Sequence, residues 1–456
     1  QLTQQLAHAG ATPTITQALP VPVDTPPPNA PTDAQTITFL APPNTIPELI
    51  QHAQLFQQQY PDIVINIAST HDLAEAPSGT TLATQSDCFL WRNSPDDALF
   101  DDKVIDLQPL IDADATILRN DYPQIVLSLT QRGQRLLGLP FGFRPYNLTY
   151  NASLFERNGL AEPKISWKPD DFLATAAALS HNEGAHRIYG YAPLLDPGTD
   201  LFFFIRQFGG QLATGSGVDV EPHFTDPKVV AAIRWYLELS TIHNVMPKPK
   251  FAYKYNEYFD AQAQNLIQQG YVGMWFTWGV SQPNANGFNV ADAPLPVAAT
   301  GFSAFDLQAQ TLYISTQTKH IPACWKWIQF ISGTIPPGGS SIPARISIAQ
   351  SNAFRQHALH NVVELYEVYR PAIEQAQAIN SIAALNSLDF YWYYDALTSV
   401  VEQRAELSVA LEQAQSKTKT FLNCLRQKEK ASVCALKVDP NYQGYNLDLP
   451  PVPGAG

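Results

Sequence analysis

Hydrophobic and polar positions alternate with a period of two over Thr36-Ile-Thr-Phe-Leu40, which predicts a half-buried strand. Ala41-Pro42-Pro43-Asn44 breaks that pattern, after which Ile46, Leu49, Ile50, Ala53 and Phe56 recur at helical spacing until Pro61 stops them. Asp62-Ile-Val-Ile-Asn-Ile67 is apolar enough for a buried strand of a parallel sheet, so the three segments together read as a β-α-β unit. Asp87-Cys-Phe-Leu-Trp91 is a third short apolar strand, followed by Arg92-Asn93-Ser94. Ligands of open α/β sheets sit beyond the carboxyl ends of strands, which makes Trp91 either a cleft residue or part of the core.

The run from Gly138 to Phe155 organises the rest. Gly138-Leu-Pro-Phe-Gly142 reads as a turn-former leading into an extended segment, because a residue before proline is pushed out of the helical region. Tyr146, Leu148 and Tyr150 then alternate at strand spacing and a helix start follows, so the run reads as a crossing between two lobes. Beyond it, Pro169 suits a first helical turn, and Asp170 and Asp171 favour its positive end, so this acidic pair needs no catalytic role. Phe202, Phe203, Phe204, Ile205 and Phe208 predict an apolar core helix ending at Gly209-Gly210. Thr225-Asp226-Pro227 opens an amphipathic helix through Leu237. Trp275 and Trp278, beside Gly273 and Gly279, offer flat faces next to approachable backbone. Phe390, Tyr391, Trp392, Tyr393 and Tyr394 are consecutive, so on a helix they point all round it and cannot share one face.

At 456 residues the chain exceeds one ordinary core, so two lobes are expected. A net charge of −13 argues against nucleic acid or an anionic membrane as partner, since both select basic patches. No run of about 18 apolar residues exists to span a bilayer. Thr12 to Pro31, with Pro26-Pro27-Pro28, has the composition of an extended tether. None of the four cysteines forms a C-x-x-C pair. Cys424 and Cys434 are close enough in sequence for a disulfide in an oxidising compartment, whereas Cys88 and Cys324 are either free buried thiols or a pair brought together by the fold.

The hydrolase, zincin, phosphate-loop and dinucleotide motifs are absent. Ser416-Lys-Thr-Lys419 matches S-x-x-K only on a polar helix, and His357 with His360 reads as a surface pair.

Several phrases resemble those of the extracellular solute-binding proteins of ABC importers, in particular the sugar-binding group typified by maltodextrin-binding protein. They are Leu139-Pro140 followed by Tyr150-Asn151, Ile105-Asp-Leu-Gln-Pro-Leu-Ile111, Ser166-Trp-Lys-Pro-Asp170, Phe224-Thr-Asp-Pro227, Phe259 through Trp275, Lys319 through Ile331, and Pro343-Ala-Arg345. The resemblance implies an α/β, two-lobe, periplasmic-binding-protein-like fold with three interlobe crossings, at Gly138–Phe155, Ala293–Pro296 and Ser341–Arg345. Residues 1–34 are then a tether, 35–145 lobe one, 146–297 lobe two, 298–343 a return to lobe one, and 344–456 lobe two with C-terminal helices and a tail.

The implied function is capture of a carbohydrate in the interlobe cleft, closure of the hinge, and delivery to the membrane permease of an ABC importer, by a monomer that performs no chemistry and needs no cofactor. A peptide or other small-solute binder is the alternative, and a carbohydrate-active enzyme a further one. The expected location is outside the cytoplasm, as a lipoprotein whose signal and lipidated cysteine are not in this chain. Stacking is expected from Trp91, Trp275, Trp278 and Trp392, the last through a phrase in which the family's tryptophan stacks on sugar. Polar contacts are expected from Asn44, Arg92, Asn93, Arg144 and Asp395, while Arg345 suits an ion pair as readily as a ligand. Arg144 departs from the maltodextrin binders, which place a ligand-contacting acid there.

Overall fold

The computed structural model describes residues 34–73, 77–92, 102–114, 119–163, 167–194, 197–215, 217–251, 261–279, 287–293, 295–296, 307–375 and 389–443. Its centre is a mixed sheet with strands in the order Ile63–Ser69, Gln35–Ala41, Cys88–Arg92, Leu307–Ile314, Leu139–Asn151, Val272–Trp278, His186–Tyr191 and His181–Glu183. The first three are parallel, and helix Ile46–Gln59 connects two of them, as the change of apolar period predicts. Leu307–Ile314 runs antiparallel to both its neighbours, and Val272–Trp278 runs antiparallel to Leu139–Asn151.

Leu139–Asn151 is shared by both halves of the molecule. Leu139, Phe141 and Phe143 enter one core with Ile37, Phe39, Leu312 and Trp327, whereas Tyr146, Leu148 and Tyr150 enter a second with Phe172, Phe204, Tyr236 and Phe276. Successive side chains of a strand point to opposite faces. The odd-numbered positions therefore serve the first core and the even-numbered ones the second, and Arg144, the one incompletely buried residue of the strand, stands at the change. The extended segment expected after Gly138 is strand from Leu139 onward. Pro140 cannot donate to a ladder, and it is accommodated where the register against Leu307–Ile314 shifts between Gln310 and Thr311.

Helices cover both halves by local rules. Helix Pro169–Leu179 begins with proline, and the Asp171 carboxylate accepts from the Lys168 N–H at 2.8 Å. It lies so close on strand His186–Tyr191 that a methyl group at Gly190 would overlap the backbone of Ala176. Helix Pro227–Thr241 is capped by Asp226, whose carboxylate accepts from the Lys228 and Val229 amides.

Both cysteine pairs are disulfides, with Cα–Cα separations of 6.0 Å for Cys88–Cys324 and 5.6 Å for Cys424–Cys434. The first ties the central sheet to helix Ile321–Ser332, which answers the question the sequence leaves open for Cys88 and Cys324.

The division of the chain differs from the expected one near its end. Ala344, Phe354, Val362, Leu365, Tyr369 and Ile373 pack in the first core, so the segment after 344 does not pass directly to lobe two. Ile342-Pro343 pairs with Phe143 and Gly142, on the first-core half of the shared strand, so Ser341–Arg345 is not a crossing. The chain changes core between Ile373 and Trp392, and residues 376–388 of that passage lie outside the described residues. The short Pro-x-Arg phrase carries no information about which core the apolar face of the following helix, His360–Gln375, will meet.

Replacing Cys88 and Cys324 together by serine is expected to cost about 3–5 kcal/mol, and replacing Cys424 and Cys434 less, because a cross-link closing the longer loop removes more denatured-state entropy. Sequence separations of 236 and 10 set that order. Equal melting temperatures for the Cys88/Cys324 variant and the parent would refute it.

Candidate functional site

Three segments distant in sequence meet at Arg144. Across the ladder it stands opposite Gln308, while Gly142 stands opposite Gln310 and Pro343, and Tyr146 opposite Trp278. The Arg144 Nε donates to Ser341 Oγ at 3.0 Å and a terminal nitrogen donates to Ser340 Oγ at 2.7 Å. Its aliphatic stem crosses Gly279, where an added Cβ would lie 3.1 Å from Arg144 Cδ. Gly279 has φ of +73° and donates its N–H to Pro145 O at 2.9 Å, so this position needs glycine for both conformation and space. Burial lowers the Arg144 pKa from the ordinary arginine value, and no carboxylate among the described residues pairs with it.

Unpaired polar atoms lie on the same sheet. Gln310 Oε1 and Thr311 Oγ1 are buried without a hydrogen-bond partner among the described residues, as is Asn147 Oδ1. Asn147 Nδ2 and Thr149 Oγ1 both donate to Asp292, at 3.2 and 2.8 Å. The Tyr369 hydroxyl, from the first core, donates to Tyr146 O and accepts from Leu295 N–H, each at 3.2 Å. One side chain thus ties the shared strand to the segment after Ala293, where the second crossing is expected.

Trp278 is half-buried and packs on Tyr146, with ring centroids 4.7 Å apart. Tyr146 is held from behind, because its hydroxyl and that of Tyr191 both donate to the fully buried Asp200. Burial, reinforced by the Asp200 charge, pushes the Tyr191 pKa well up, which keeps that hydroxyl a donor. On the first-core side, Trp91 is half-buried against Leu40, Phe89, Leu137 and Tyr313. The exposed Arg92 guanidinium lies 5.5 Å from the Trp91 ring centroid. Asn44 is exposed in the turn Pro43–Thr45, just past the carboxyl end of strand Gln35–Ala41. Asn93 lies outside the described residues.

Other expected contacts are not gathered here. Trp275 and Trp278 do not form a paired platform: three residues apart on one strand, they point to opposite faces, and Trp275 is buried against Ala192, Ala263 and Ile267. Trp392 is not a stacking surface for a ligand, because it is 1% exposed between Phe421 and Tyr442. Asp395 is half-buried on the same helix, Tyr391–Val401. Arg345 is not directed to a ligand either, since its Nε donates to Asp121 at 2.7 Å. Burial pushes the Asp121 carboxyl up, but bonds from Ser347 and Arg345 outweigh it and leave its pKa below the ordinary 3.8. Ser340, Ser341, Gln310 and Tyr369 escape sequence reasoning, since no local pattern connects Ser341 to Arg144 across 197 residues.

The geometry suits reversible binding: one half-buried tryptophan on each half, a half-buried cation between them, and polar side chains with bonding capacity to spare. Among the described residues, no group of three or more His, Cys, Asp or Glu could hold a metal. Residues 40–334 match the sequence profile described as bacterial extracellular solute-binding protein. A comparison with curated proteins by sequence finds no match. Among solved structures, the sugar-binding protein MalE of Xanthomonas citri is similar with a TM-score of 0.65 at 16% identity, covering 86% of this chain and 99% of that one. An ABC substrate-binding protein of Listeria monocytogenes in complex with cycloalternan aligns with a TM-score of 0.63 at 17% identity, covering 86% and 100%. Maltose-bound MalE3 of T. maritima aligns with a TM-score of 0.60 at 20% identity, covering 85% and 99%. At such identities the likeness speaks for the fold.

Two outcomes test this architecture. Tyr369→Phe leaves the Leu295 amide and the Tyr146 carbonyl without the bridging hydroxyl, with an expected loss of about 1–3 kcal/mol and faster hydrogen exchange at Leu295; unchanged exchange there would show that the bridge is dispensable. Asp121, with its pKa lowered in the fold, contributes stability that is complete above its unfolded value and lost as pH falls through the folded one. The stability gap between the parent and Arg345→Ala is therefore expected to be constant near neutrality and to shrink below about pH 4. A gap independent of pH would contradict the ion pair.

Proposed function

The chain belongs to the bacterial extracellular solute-binding proteins, and we propose that its solute is a carbohydrate, captured between the two halves and handed to the membrane permease of an ABC importer. The observation that carries this reading is the pair of half-buried tryptophans flanking the shared strand, Trp91 from the first core's sheet and Trp278 beside the second. Flat aromatic faces suit the C–H surfaces of sugar rings, and hydroxyls then seek amides, hydroxyls and arginine such as Asn44, Gln310, Thr311 and Arg144. That similar structures hold cycloalternan and maltose supports it.

Closure follows from the connections. Each half has its own core, and they are joined by the shared strand, the passage after Ala293 and the passage between Ile373 and Trp392, so the halves can rotate about a few backbone torsions with both cores intact. Such a protein stores and presents a solute without altering it, in line with a family of binding proteins rather than enzymes. Its place is outside the cytoplasm, where both disulfides persist, held near the permease by a lipid anchor.

A thermal-shift screen over mono- and oligosaccharides, amino acids and short peptides tests the solute class. A sugar at about 100 times its dissociation constant is expected to add about 2.7 kcal/mol of stability. Trp91→Ala and Trp278→Ala are each expected to weaken binding of that sugar by about tenfold. Stabilisation by peptides alone would overturn the carbohydrate reading, as would wild-type affinity in both tryptophan variants.

A further inference from the structure

We infer that Arg144 is the receptor for a carboxylate on the solute, so that the carbohydrate is a sugar acid rather than a neutral sugar; this rests on the carbohydrate reading above. A half-buried guanidinium is costly to leave without a counter-charge. In a chain with 41 acidic residues against 28 basic ones, a carboxylate partner is easy to supply. Arg345 illustrates this, since Asp121 pairs with it at 2.7 Å. Arg144 has instead only the neutral hydroxyls of Ser340 and Ser341 among the described residues.

Those two bonds also orient it. Ser341 takes Nε and Ser340 takes one terminal nitrogen, while the stem is fixed over Gly279, so the fork is held by groups that do not neutralise it. The other terminal nitrogen is left with donors to spend. Polar side chains neighbour it on the sheet: Gln308 stands opposite Arg144, and Gln310 opposite Gly142, two residues before Arg144 on the same face. Gln310 Oε1 is a buried acceptor without a partner, which a sugar hydroxyl satisfies by donating to it. Arginine recognises a planar carboxylate through parallel charge-assisted bonds, and a neutral sugar cannot supply that interaction.

The test compares oligogalacturonides and oligoglucuronides with neutral oligosaccharides of matched length, and with dipeptides, by calorimetry on the full chain. The expected result is that a uronide binds at least tenfold more tightly than its neutral counterpart, and that added salt weakens the uronide more. Arg144→Gln, which keeps a donor toward the serines, is expected to abolish the preference for the acid while leaving a folded protein by melting temperature. Neutral sugars bound as tightly as uronides by the parent protein would overturn the inference and leave the carbohydrate reading intact. Dipeptides bound in preference to every sugar would overturn the carbohydrate reading, and with it the sugar acid. Retention of the acid preference in Arg144→Gln would assign the carboxylate to another residue and equally overturn the inference.

Discussion

Everything in this molecule depends on one strand that changes the face it buries. Leu139, Phe141 and Phe143 commit the odd face to the first core, and Tyr146, Leu148 and Tyr150 commit the even face to the second. A strand with a strict period of two cannot carry one apolar series across both halves unless the cores lie on the same side. The switch therefore sets the two cores on opposite sides of a continuous ladder, and it leaves one place, Arg144, where neither core claims the side chain.

The rest of the central region is built to tolerate that place. Opposite the apolar even positions, Asn147 and Thr149 are buried but satisfied in part by Asp292, so the second half of the strand is covered on both faces. Tyr146, the first residue of the second series, is anchored through Asp200, and Trp278 rests on it. Among the described residues, the links between the cores include a ladder, a tyrosine hydroxyl and an arginine on two serines. Such links can rearrange at modest cost, as the proposed closure requires.

Much of the first half is legible in the sequence because its elements are local. The alternation at Thr36–Leu40 and the helical spacing from Ile46 appear as strand Gln35–Ala41 and helix Ile46–Gln59. The Asp226 cap and the Pro169 start are likewise contacts within three residues. The aromatic candidates fare unevenly for a physical reason. A tryptophan signals a large apolar surface, but whether that surface is wet depends on what arrives from elsewhere: Tyr442 and Phe421 close over Trp392, and helix Ala261–Gln268 covers Trp275. Arg345 is claimed by Asp121, which is 224 residues away in sequence.

By itself the sequence determined the α/β class, the parallel opening unit, the capped helices and the presence of a crossing near Gly138–Phe155, because each is encoded in spacing over a few residues. Only the tertiary structure decided that Cys88 meets Cys324, that residues 344–375 belong with the first core, that Trp275 and Trp278 face apart, and that Arg144 has serines where Arg345 has an aspartate. Those facts concern partners that periodicity cannot see. They are fixed by which apolar faces pack together, and the charge left at Arg144 follows from that packing rather than from any pattern along the chain.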